Sequence, residues 1–236
     1  SVKELVCLDC GYTTQNDNYG KKVTVSWNQD YTIKELADFE KVVTGTGTEK
    51  DPYIIDTAAE LLYVTVFSGD DSIGKYYKVA DNIGAFNMGS YALGASTNDI
   101  KTKVKESYLS WAPHNNSGDK NSANVYFQGH FDGNGAVVYG LAGRAHWTGL
   151  FPEIKGTASI LNLTVQSSSF MSATATASAG ALVGKIENDT NLTITNCASI
   201  GNYICANGAE QSALGSLVGR VSGNGTVHTS KVTINN

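Results

Sequence analysis

The chain has 236 residues, a net charge of −5, 41% hydrophobic residues and only 17% charged ones. The apolar share suffices for a sizeable core and argues against intrinsic disorder. The acidic balance, with arginine only at Arg144 and Arg220, excludes a phosphate-backbone binder, so no nucleic-acid partner is expected. No run approaches the ~18 apolar residues of a membrane-spanning helix, and Gly, Ser, Thr and Asn fill the place of charge.

Ser1 is not an initiator Met, and residues 1–9 lack a basic stretch leading into an apolar one. The sequence therefore reads as a mature form or an excised piece, with a larger multi-module chain expected around it. Cys7 and Cys10 sit at C-x2-C spacing, half of a zinc-ribbon pattern, but no second pair supplies the other two ligands. No metal and no cofactor are expected. Cys197 and Cys205 form a second local pair and a possible disulfide, with plain thiols as the alternative.

Two early segments carry helix signals. Thr32 and Glu35 offer a capping box ahead of Leu36, Phe39, Val42 and Val43 at helical spacing. Thr57 and Glu60 offer another ahead of Leu61, Leu62, Val64 and Phe67, where β-branched residues weaken the helix after a turn or two. Between them, residues 45–52 form a dense turn signal and Tyr53–Ile55 is a strand candidate. Residues 84–124 dissolve into Gly, Ser, Asn and Asp with scattered aromatics, and read as a long insertion.

After Tyr126 the chain repeats. One unit holds 149–154 then 160–165, the next 180–186 then 192–197, the third 214–221 then 227 and 232–234. Phe151, Val183 and Val218 are equivalent, separated by 32 and 35 residues. Strand pairs this short cannot bury an apolar face alone, so equivalent strands of successive units must lie side by side, ~4.8 Å apart. Gly156, Gly184, Gly219 and Gly223 are expected at the corners. The fold class expected is all-β: a parallel β-solenoid, with an all-β sandwich as its competitor.

The string Phe127-Gln128-Gly129-His130-Phe131-Asp132-Gly133-Asn134-Gly135, followed by Gly140-Leu141, Gly149-Leu150-Phe151 and Asn162-Leu163, resembles the bacterial GLUG-type repeat. Upstream, 45–48, 51–55, 59–61 and 74–79 resemble the lead-in of the same family. The resemblance implies a right-handed, pectin-lyase-like parallel β-helix on a secreted or cell-surface bacterial protein. It implies a β-helix domain over 44–236 and a segment 1–43 that supplies a capping helix or ends a preceding module.

The acids open to catalysis are Asp70, Asp71, Asp132, Glu153, Glu187 and Asp189, and each is expected to be structural. Glycoside hydrolysis needs two carboxylates at a set separation, lysis needs a base and a cation, and the two arginines are far apart in sequence. His114, His130, His146 and His228 have no metal-binding spacing. Loop aromatics Tyr91, Tyr108, Trp111 and Trp147 are the candidate binding residues, suited to a sugar face or a protein anchor. The expected function is a non-catalytic module for adhesion or ligand display toward a host or matrix glycan or protein. A polysaccharide lyase or glycoside hydrolase is the rival, and a purely structural spacer the second rival.

Overall fold

The computed structural model describes residues 22–26, 33, 35–89, 126–172, 177–206, 212–222 and 230–235. They are mostly strand, with few helices. The first strands are β1 (Val23–Ser26), β2 (Tyr53–Ile55), β3 (Tyr76–Val79) and β4 (Ile83–Asn87). Then come β5 (His130–Tyr139), β6 (Ala142–Ala145), β7 (Trp147–Thr148), β8 (Phe151–Ile154) and β9 (Thr157–Gln166). They are followed by β10 (Ser169–Ser172), β11 (Ser178–Gly180), β12 (Val183–Ile186) and β13 (Asn191–Ile200). The last are β14 (Tyr203–Ala206), β15 (Ala213–Gly215), β16 (Val218–Val221) and β17 (Lys231–Asn235).

Every pairing between these strands is parallel. The long sheet runs β1-β4-β5-β9-β13-β17, with β2 and β3 joining at β5. Three smaller sheets run β14-β10-β6, β15-β11-β7 and β16-β12-β8. From β5 onward the chain visits the four sheets in a fixed order, and each visit pairs beside the previous one. Parallel neighbours need a long connection; here three further strands serve as that connection. Val183 faces Phe151 on one side and Val218 on the other, the equivalence read from the repeat.

The long strands bend at their middle. Asn134, Asn162 and Asn196 have φ of 52°, 52° and 51°, the left-handed region that Asn tolerates better than most residues. Asn196 Nδ2 donates to Asn162 Oδ1 at 2.9 Å, Asn162 Nδ2 to Asp132 Oδ1 at 2.9 Å, and Asn134 Nδ2 to Asp81 Oδ1 at 2.8 Å. The bend thus carries its hydrogen bonds from one unit to the next. Before and after it, alternate residues point inward. Phe131, Ile160 and Ile194 are cross-strand neighbours in the core, and none is exposed.

Gly156 is at a corner with φ of 64°, as expected. Gly184 and Gly219 are not at corners: they lie inside β12 and β16, and Gly223 lies outside the described residues. Their reason is close approach. A Cβ on Gly184 would sit 2.6 Å from the Pro152 carbonyl oxygen, and one on Gly219 2.6 Å from that of Gly184.

The first helix also differs from its sequence signal. It spans Leu36–Val42 (α1) with Glu35 at the N-cap in extended backbone and no side-chain cap, so Glu35 cannot close a box as a third helical residue. Thr32 lies outside the described residues. Packing anchors α1 instead: Phe39 stacks on Tyr63 at 4.5 Å and meets Tyr53 edge-on at 5.3 Å. The second, α2 (Ala58–Leu62), has the full Thr57–Glu60 capping box and widens into a π-type turn over Tyr63–Phe67, where the β-branched residues fall. Residues 84–87, read as the start of the insertion, belong to the strand Ile83–Asn87, which lies between β1 and β5. Among the described residues no helix is long and apolar enough to cross a membrane.

Candidate functional site

Two side-chain groupings carry chemistry. The first lies on the outer face of the long sheet. Because Tyr77, Phe131 and Ile160 point inward, their neighbours Tyr76, His130 and Ser159 form an outward row across β3, β5 and β9, and Lys78, Asp132 and Leu161 form the next. Tyr76 and His130 stack at 4.4 Å, and His130 Nδ1 lies 2.9 Å from Ser159 Oγ. Burial pushes the imidazole below its usual range, while Glu49 pulls it back up. With Glu49 and Pro52 these residues line a groove of about 270 Å³. Asp132 Oδ1 accepts from the Asn134 amide and from Asn162, so this acid supports the bend. The groove offers aromatic faces beside polar edges, a surface suited to a sugar ring.

The second grouping lies on the sheet of β8, β12 and β16, where Glu153, Lys185 and Arg220 are cross-strand neighbours. Lys185 Nζ hydrogen-bonds Glu187, lies 3.7 Å from Glu153 Oε1 and sits 3.8 Å from the centre of the Trp147 ring. Trp147 in turn meets His146 edge-on at 4.8 Å. Burial and a hydrogen bond with Glu187 push the Glu153 carboxyl well above the usual range. Burial alone would raise Glu187 too, but hydrogen bonds from Glu153 and Lys185 and the lysine charge hold it low. Of the two carboxyls, Glu153 is the one whose neutral form its surroundings favour.

Trp147 thus belongs to a charged cluster. Tyr91, Tyr108 and Trp111 lie outside the described residues, as do Cys7, Cys10, His114 and His228. Asp70 accepts from Tyr126 Oη and Gln128 Nε2, and Asp71 from Tyr63 Oη, while Asp189 sits in a turn with φ of 57°. Cys197 is on β13 with its thiol donating to the Ile160 carbonyl, Cys205 is on β14 in another sheet, and no disulfide joins these two described cysteines.

The sequence showed the two arginines far apart; register brings Arg220 and Lys185 into one row with Glu153. Parallel pairing of residues more than thirty positions apart is the signal, and it becomes legible only once the repeat fixes the register. The Tyr76–His130 pair was missed because neither residue stands out alone. No family model, curated protein or solved structure gives a significant match to the chain.

Proposed function

We propose that this chain is a right-handed parallel β-helix of the GLUG-repeat type, its early helices covering one end, and that it works as a non-catalytic binding module of a secreted or cell-surface bacterial protein. The β-helix reading draws on the repeated order of strand visits and the continuous parallel registers. Its role is adhesion or ligand display, and the ligand is a glycan. The observation that carries the binding reading is the groove in which the stacked Tyr76 and His130 rings stand beside Lys78, Asp132 and Glu49. A pyranose lays its C–H face on such rings while polar neighbours take its hydroxyls.

The rival enzyme reading draws on Glu153 and Glu187, which converge beside a cation. Both carboxyls are already engaged by Lys185, Glu187 through a hydrogen bond and Glu153 at 3.7 Å, an arrangement unlike the two carboxyls that a hydrolase keeps free on either side of the sugar bond. A glycan array probed with the purified chain and with Tyr76→Ala tests the binding reading. The expected result is retention of one glycan class by the parent and at least a tenfold loss in the variant at unchanged circular dichroism. Equal signals from both remove the groove from the proposal, and release of new reducing or unsaturated ends from any glycan would make the chain an enzyme.

A further inference from the structure

We infer that Lys185 and Glu153 join through an amide bond, a covalent staple between neighbouring strands β12 and β8, with Glu187 as the base that makes it. The two residues are direct cross-strand partners, so the backbone already holds them opposite one another. Lys185 Nζ is 3.7 Å from Glu153 Oε1, so the amine lies beside the carboxyl group whose carbon it must reach. Both residues are less than a tenth exposed, at 8% and 9%, and the Trp147 ring closes over the amine. Water, which would oppose a condensation by mass action and by hydrating both charges, is largely kept out.

The three groups divide the work. Glu187 hydrogen-bonds Lys185 Nζ and receives its proton as the nitrogen begins to attack. The freed lone pair attacks Cδ of Glu153, whose burial favours the neutral acid, the form of the carboxyl that can be attacked. The new C–N bond forms, a second proton leaves nitrogen, and the Glu153 hydroxyl departs with it as water. The ammonium, the Glu187 carboxylate and the Glu153 acid become one amide, one water and a protonated Glu187, which then loses its proton to solvent. Charge and atoms balance without an oxidant or a cofactor. An ordinary ion pair would need one carboxylate; here a second, buried carboxyl stands across the strand from the same lysine.

Intact-mass measurement of the full purified chain tests the inference. The expected mass is one water below that of the sequence, and a protease digest yields a branched peptide joining the segment with Glu153 to the segment with Lys185. Trypsin leaves the bond after Lys185 uncut. Lys185→Met restores the full mass, and Glu187→Gln, which keeps shape and hydrogen bonding, slows or stops the loss. A wild-type chain of full mass with normal cleavage after Lys185 overturns the inference, as does a water loss mapped to Asp132-Gly133 or to a bond between Lys185 and Glu187. The wild-type measurement stands even where a variant fails to fold, and it is independent of any glycan binding.

Discussion

The second and third units carry the same residue pattern on the same four sheets, yet their interiors differ. In the second, Leu182, Val183, Leu192 and Ile194 have no exposed surface. In the third, Leu217, Val218 and Val232 at the matching places are half-buried, and Ile234 is 51% exposed. The strands of the second unit have partners on both sides, whereas β14, β15, β16 and β17 stand at sheet edges among the described residues. Burial here is a property of neighbours: the same valine or isoleucine is core or surface depending on what pairs beyond it.

The sharpest way to break that comparison is to truncate one cross-strand pair, Ile194 and Ile234. Ile194→Ala is expected to cost ~3–4 kcal/mol, transfer plus cavity, and Ile234→Ala less than ~1 kcal/mol, read from urea unfolding midpoints. Equal losses would mean that the third unit is as well buried as the second.

A smaller effect is expected at the bend. Asn162→Ala removes a hydrogen bond on each side of the residue and puts Ala at positive φ, for a loss of ~2 kcal/mol. Asn162→Gly keeps the backbone free to adopt that φ and loses only the bonds, so it should recover part of the stability. If the two substitutions unfold alike, side-chain bonding alone sets the bend.

The smallest effect extends the comparison to β5, which pairs with the first unit. Folding lowers the His130 imidazole below its unfolded value, so the native chain binds fewer protons there than the unfolded one. Its contribution is intact above the unfolded pKa of ~6.5 and is lost as pH falls from there through the lower folded value. Melting at pH 7.5 and 5.0 should show a modestly larger drop for the parent than for His130→Gln. Identical drops would show that the ring is as well solvated folded as unfolded.

Much of this architecture was legible in the residues. The recurrence of Phe151, Val183 and Val218 predicted which strands are neighbours, and Thr57 and Glu60 marked the start of α2. Gly184 and Gly219 were legible as glycines but their reason was not: a corner and a close backbone approach select the same residue, and only the packed chain separates them. The strand Ile83–Asn87 was hidden because its Ile, Ala and Phe follow a break at Asp81 and Asn82. The candidate groove and the Glu153 cluster were hidden for a different cause. Each gathers ordinary residues from far along the chain, and charge proximity is set by register rather than by spacing.

The asparagine bend has a consequence for how such a chain can grow or shrink. Asn162 and Asn196 are 34 residues apart and bonded to each other, and β9 and β13 keep one register on both sides of them. Removing or inserting one whole period would bring like ends together with no new kind of junction. Length in this molecule is therefore a free variable for recombination, while a loss of only a few residues within a period would throw every later side chain out of place.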